Sequence, residues 1–250
     1  MSITNNIINQ YLKYLSFLDL DLTKEKWSEN FMACKSDGKL LFANRVFIPH
    51  AITQKDLADL KSFFSDLPFT LWLNKVNNVG KHSVEELGIT SKVTLPLMQM
   101  DLRNLELNIE NPDIKVKQLS SRKEILSLWV SLVSEAYNMT AVIHEFQKFV
   151  SYLLATKAYL NMRFYVGYYK NEPCAASMLI LRKDITDIHW VGTLPAYRKK
   201  GIGHAISHWP LHDIKNKVTN AILFASEMGK PLYESMGFIT VAESQVYEVS

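Results

Sequence analysis

The chain has 250 residues, 48% hydrophobic and 21% charged, the make-up of a globular protein with a real core. A net charge of +3 with no separate Lys/Arg-rich run argues against a nucleic-acid binder, and no apolar run approaches the length of a membrane-spanning helix. Two distant cysteines, Cys34 and Cys174, make neither a disulfide framework nor a zinc site, and the opening residues lack the pattern of a signal peptide. The default is therefore a reducing, cytoplasmic setting without a metal.

Apolar residues at helical spacing (Ile7, Ile8, Tyr11, Leu12, Leu15) predict an N-terminal amphipathic helix. Leu40 to Ile48 reads as a strand broken by the polar Asn44, and Gln54 to Phe64 as a helix with Thr53 as N-cap. Pro68 to Leu73 has strand character, Val84 to Gly88 looks like a short helix closed by glycine, and Val93 to Leu102 alternates as a strand. The polar stretch Asn108 to Asp113, with Pro112 in it, is the natural boundary, giving domains 1–108 and 109–250. Beyond it, Ile114 to Leu119 is a strand, and Lys123 to Tyr137 and Ala141 to Leu154 are helices. Phe164 to Tyr169, Cys174 to Leu181 and Ile185 to Thr193 are then three consecutive strands. Gly201 to Lys217 is helical, with Pro210 expected to kink it. Ala221 to Ala225 is a strand, Pro231 to Met236 a short helix, and Ile239 to Val249 a final strand. The order makes an α/β (α+β) fold, a mixed, mostly antiparallel sheet with helices on its faces and a smaller N-terminal subdomain.

The chemistry gathers where Asp187-Ile-His-Trp-Val-Gly-Thr193 runs through Leu-Pro-Ala-Tyr into Arg198-Lys-Lys-Gly-Ile-Gly203. A strand feeding a glycine-containing turn at a helix start is prepared for phosphate. First-turn N–H groups lack intrahelical partners, and the macrodipole adds about half a positive charge. Gly201 and Gly203 leave those amides open, and Arg198, Lys199 and Lys200 add positive charge beside them. The segment lacks the Gly-Lys-Ser/Thr ending of a P-loop and the third glycine of a dinucleotide fingerprint.

What remains, Arg-x-x-Gly-x-Gly, resembles the acetyl-CoA pyrophosphate motif of the GCN5-related N-acetyltransferases (GNAT), lead-in included. About thirty residues on, Ser226-Glu-Met-Gly-Lys-Pro-Leu-Tyr-Glu-Ser-Met-Gly-Phe238 resembles that family's later motif. The resemblance covers roughly residues 113 to 250. It implies that backbone groups of Val191, Gly192 and Thr193 pair with the pantetheine arm. It also implies that amides of Arg198, Lys199, Lys200, Gly201, Ile202 and Gly203, with His204 and Ala205, hold the pyrophosphate. Tyr233 matches the tyrosine near the thioester sulfur, where it can protonate the leaving thiolate; otherwise it is a core aromatic. Many members have Asn where Ser226 stands, which puts that pantetheine contact in doubt.

A base must deprotonate an acceptor amine. Asp187 occupies the place of the glutamate that serves some members, four residues before the first pantetheine-binding position. His189 lies two residues on, on the same strand face, and free imidazole is a base suited to the task. The plainer alternatives are a turn-capping Asp187 and a hydrogen-bonded core histidine at His189.

The resemblance implies transfer of acetyl from acetyl-CoA to a primary amine, a small molecule or a peptide, by direct attack without a covalent enzyme intermediate. A CoA-binding module or sensor without catalysis, and a longer acyl donor, are the alternatives. The first hundred residues look like the degenerate half of two-part acetyltransferases, with Phe69 and Trp72 as candidate wall residues of an acceptor pocket or as core. The expected assembly is a monomer or homodimer.

Overall fold

The computed structural model describes residues 23–249, apart from 29, 37–42, 49–50, 66, 75–80, 104 and 107–110. The N-terminal helix around Ile7 to Leu15 lies outside these. In chain order the elements are β1 Thr23–Trp27, β2 Met32–Ser36, β3 Arg45–Ile48, α1 Gln54–Phe64, β4 Phe69–Asn74, α2 Lys81–Glu86 and β5 Ser91–Asp101. They continue with β6 Ile114–Leu119, α3 (122–136), α4 Ile143–Ala155, β7 Met162–Tyr169, β8 Glu172–Leu181 and β9 Ile185–Thr193. The chain closes with α5 Ile202–Ile214, β10 Asn220–Phe224, α6 Lys230–Ser235 and β11 Ile239–Val249.

Two compact units result: Met1–Leu97 with Thr240–Ser250, and Met98–Ile239. The division thus falls away from 108/109, for two reasons. The last strand returns to pair antiparallel with β4, from Ser244 opposite Asn74 to Val249 opposite Phe69. Met98, Met100, Leu102 and Leu105 meanwhile pack into the core of the second unit.

In the first unit the strand order is β1-β2-β3-β4-β11. β3 and β4 run parallel, so a crossover must join them, and α1 supplies it. Thr53 caps α1 as its sequence implies, with a full capping box: Asp56 N–H donates to Thr53 Oγ1, and Thr53 N–H donates back to Asp56 Oδ2. The strand expected from Leu40 is described only from Arg45. Asn44 is buried and its amide donates to Pro68 O, while its own carbonyl accepts from Thr70 N. Phe69 is core, stacked on Phe64 at 4.4 Å, the plainer of its two expected places. Trp72 lies under Arg45 at 5.4 Å and donates to Thr70 Oγ1. β1 and β2 form a hairpin that no alternation in the sequence announces.

The second unit orders its strands β5-β10-β9-β8-β7-β6. β6 to β9 are antiparallel neighbours, whereas β9 and β10 run parallel and are joined through α5. One face carries α5 over Tyr165, Leu179, Ile188 and Leu223. The other carries α3 and α4, with Trp129 edge-on to Phe164 at 5.0 Å and its indole N–H donating to Ser177 O. α3 contains one π-helical stretch, Ile125–Trp129, flanked by α-helical turns. Pro210 is buried within α5, which runs through it to Ile214.

Candidate active site

β9 governs the site. It pairs with β10 only at Ile185, Thr186 and Asp187, after which the pairing of the two strands ends while β9 continues for six more residues. On its other edge it stays bonded to β8, but the register slips. His189 faces Met178 and Gly192 faces Ala176, so Trp190 and Val191 share the place opposite Ser177. Two residues opposite one make a β-bulge. Trp190 absorbs it at φ 53°, in the left-handed region that a bulky side chain rarely enters.

The extra residue reverses which side chains face which layer. Before the bulge, Ile188 points to the α5 core, so Asp187 and His189 point to the α3/α4 face. After it, Gly192 meets α3 and Thr193 comes under α5. Leu194 N–H donates to Cys174 O, so the peptide groups of Val191 and Thr193 lie on the opposite edge, the one that has left β10. That edge leads through the turn Pro195–Tyr197 to α5. Lys199 and Gly201 take left-handed conformations there, and no side chain caps the helix at Gly201. Ala205 N–H makes the helix's first backbone bond, to Gly201 O, so the amides of Ile202, Gly203 and His204 precede the ladder. A Cβ on Gly203 would lie 3.4 Å from Leu232 and 3.8 Å from Thr193 Oγ1.

The three cations of this loop are exposed, and two are engaged locally. Arg198 Nε donates to Thr193 O and its Nη2 to Ala136 O at the end of α3. Lys200 Nζ sits over the rings of Tyr169 and Tyr197, at 5.0 and 5.4 Å. The His204 ring stacks on His208 at 5.0 Å. Burial, then His204 and His212, pull the His208 pKa down to about 4, so it is neutral near pH 7. Ser226 is exposed in the loop after β10, with its hydroxyl accepting from Gly229 N in the turn that starts α6.

Tyr233 is buried on α6, in the core under α5. Burial pushes its pKa up to about 12, with the Ser207 hydroxyl beside it working the other way. It is therefore a neutral phenol at any physiological pH. Asp187 is 1% exposed, and neither carboxylate oxygen accepts a hydrogen bond among the described residues. Its nearest cationic partner is His189 Nε2 at 3.9 Å, an ion pair only when that ring is protonated. Cys174 is buried, with its thiol 3.5 Å from Gly167 O. Burial pushes its pKa up to about 11, which leaves no thiolate nucleophile at neutral pH. Among the described residues no three His, Cys, Asp or Glu side chains are grouped to hold a metal, and no helix is long and apolar enough to cross a membrane.

Sequence reasoning missed Tyr137. It follows α3, and its hydroxyl donates to Val191 O at 2.9 Å on the open edge of β9.

Residues 161–240, which contain β9, the loop, α5 and Tyr233, match the model of the family described as acetyltransferase (GNAT) domain. No curated protein shows a significant match to the sequence. Among solved structures, the chain is similar to a GCN5-related N-acetyltransferase from Kribbella flavida, with TM-score 0.75 and 15% identity over 99% of this chain and 96% of that one. It is also similar to a GCN5-related N-acetyltransferase from Sphaerobacter thermophilus (TM-score 0.66, 10% identity, 88% and 76% covered). A tandem GNAT protein from the clavulanic acid biosynthesis pathway gives TM-score 0.61 and 8% identity, with 98% and 95% covered. The fold is that of the GNAT proteins, and the match to the GNAT acetyltransferase model falls on the stretch that holds β9, the loop and α5.

Gly192 generates a first prediction. A Cβ there would lie 2.7 Å from Ala136 Cβ and 3.2 Å from the Tyr137 ring. Gly192→Ala should therefore destabilise the protein by about 1–3 kcal/mol through overpacking. Urea unfolding reads this directly, and wild-type stability would mean that α3 gives way freely.

Proposed function

We propose that this protein transfers an acetyl group from acetyl-CoA to a primary amine on a small molecule or peptide, by direct attack. The observation that carries the reading is the open edge of β9 running without interruption into the uncapped start of α5. An extended arm ending in a pyrophosphate fits this combination: a strand edge for the arm, then helix amides for the anion. The N–H groups of Val191 and Thr193 would donate to the arm, with Gly192 between them. The amides from Arg198 to Ala205 would hold the pyrophosphate. With Arg198 and Lys200 engaged elsewhere, the backbone does most of the binding. Bound acetyl-CoA supplies an acyl group activated as a thioester.

Asp187 and His189 are the proton acceptors in this reading. A buried carboxylate without hydrogen bonds is costly, and an incoming ammonium would relieve that cost by pairing with it. Loss of the proton to the Asp187–His189 pair then leaves the neutral amine that attacks. Tyr233 has a different task from outright protonation. With its pKa near 12, full transfer to a thiolate of ordinary pKa near 8.5 is uphill by about 5 kcal/mol. It acts as a hydrogen-bond donor to the departing sulfur. The buried, neutral Cys174 offers no acyl-enzyme route, in keeping with direct transfer.

Met1–Leu97 with Thr240–Ser250 is, in the same reading, a degenerate second GNAT half. The parallel β3–β4 pair joined by α1, and the likeness to a tandem GNAT protein, support it. One observation favours a non-catalytic CoA-binding protein instead: Ser226, where many relatives have Asn, has its hydroxyl committed to the α6 turn. Turnover with a panel of amines separates the two.

Thermal unfolding with acetyl-CoA, using NAD and ATP as controls, tests the donor. At a hundred times its dissociation constant acetyl-CoA should stabilise wild type by about 2.7 kcal/mol. Gly203→Glu should show no such shift, because a carboxylate enters the anion site; it should fold normally, since an acid in the first helical turn suits the dipole. Equal shifts in the two proteins would mean the loop does not bind the donor. Asp187→Asn should lower kcat by about 10²-fold or more while leaving acetyl-CoA binding intact; unchanged turnover would remove the dyad from proton transfer. Tyr233→Phe should lower kcat about tenfold or more, as loss of a hydrogen bond to a charged atom does, and unchanged turnover would return the residue to the core.

A further inference from the structure

The bulge in β9 needs support from outside the strand. A left-handed Trp190 costs about 1–3 kcal/mol and persists only where its surroundings over-determine it. Contacts from the α3/α4 layer do so. The Trp190 ring lies against Phe146 of α4 at 5.0 Å and edge-on to Tyr137 at 5.6 Å. Gly192 admits Ala136 and the Tyr137 ring at distances no side chain would permit. The Tyr137 hydroxyl donates to Val191 O at 2.9 Å. Tyr137 reaches that carbonyl because α3 ends there: Asn138 turns left-handed at φ 55°, and Met139 N–H closes the turn on Ser134 O. Arg198 anchors the same helix end through Ala136 O.

Tyr137 therefore holds one of the two peptide groups that the open edge offers to the donor. The second carbonyl, of Thr193, is held by Arg198 Nε. With both carbonyls tied to side-chain donors, the N–H groups of Val191 and Thr193 are what the edge has left to give. An edge reduced to donors suits a carbonyl oxygen on which negative charge develops. Tyr137 is 44% exposed as a residue, with its hydroxyl on Val191 O, and burial together with neighbouring Tyr233 pushes its pKa well up. It stays a neutral donor. Tyr233 belongs to the core on the α5 side of the sheet and Tyr137 to the α3 side.

Building on the acetyltransferase reading, we propose that Tyr137 is a positioning residue: through its bond to Val191 O it fixes the β9 bulge so that the Val191 N–H faces the reacting carbonyl. It touches neither donor nor acceptor, and acts through the strand.

Tyr137→Phe keeps the ring contacts and removes the hydroxyl alone, so folding is preserved. Loss of one such hydrogen bond should lower kcat about 3- to 10-fold. The dissociation constant for acetyl-CoA should stay within about twofold, because the anion site on α5 is untouched. A merely structural role would alter stability or binding and leave this split absent. Amide exchange, measured on the free protein, should quicken by about the same factor at 190–193 and stay unchanged in β7 and β8. Unchanged kcat in an active enzyme, or unchanged exchange at 190–193, overturns the proposal. A wild type that turns over no amine sinks the acetyltransferase reading instead, and the exchange measurement still decides whether Tyr137 holds the bulge.

Discussion

The structure of the second unit turns on one extra residue in β9. Up to His189 the strand pairs with β8 in one register, and beyond Gly192 in the next. That shift alone determines what the strand presents. Asp187 and His189 face one layer, Val191 and Thr193 turn their peptide groups to the edge that β10 has left, and Gly192 meets the end of α3. A regular strand would have placed the side chains after 189 on the other faces. The end of α3 could then no longer pack on Gly192, and Thr193 would no longer come under α5.

The same opening explains why the loop after β9 relies on backbone groups. A strand that parts from its parallel neighbour leaves its own carbonyls without partners, and buried carbonyls without partners are costly. Arg198 answers for Thr193, and Tyr137 for Val191. Arg198 is tied at once to the strand and to the C-terminal carbonyl of Ala136, where the helix dipole favours a cation. Its sequence position within an anion motif suggests a direct phosphate ligand; its geometry makes it a brace. Positive charge still surrounds the loop, and in the proposed reading the groups that would meet an anion head-on are the amides at the start of α5.

These facts mark how far the sequence could be read. β7, β8, β9 and β11 were legible because apolar runs of strand length are bounded by short polar turns, and α1 because Thr53 and Asp56 form their capping box within four residues. The turn into α5 and the short helix that carries Tyr233 were legible because their signals are local. The β1–β2 hairpin was not, since Thr-Lys-Glu-Lys-Trp carries no apolar alternation. Neither was the bulge: Trp190 stands where the backbone conformation would ordinarily call for glycine, and nothing in Trp-Val-Gly declares it. Tyr137 was hidden for a third reason. Its partner lies 54 residues along the chain, and only the packing of α3 on Gly192 brings the two together. The division into units also escaped a boundary read from local polarity, because β11 pairs with β4 across nearly the whole sequence.

Local rules fail together in one short stretch. Asp187 is a buried carboxylate with no hydrogen bonds among the described residues, and Trp190 a bulky residue in a left-handed conformation, three positions apart on the same strand. Each costs on the order of a kilocalorie or more. Neither has a packing benefit of its own that a hydrophobic residue in regular β conformation would lack. What offsets them is the surrounding layer: Trp129 and Phe164 filled tightly beneath α3, Phe146 against Trp190, and Ile188 anchored in the α5 core between the two. A rigid core that carries such local costs on one strand, beside an edge held open and a helix start left uncapped, is what the acetyl transfer proposed for this strand would need. A strand selected for stability alone would have exchanged both residues and closed against β10.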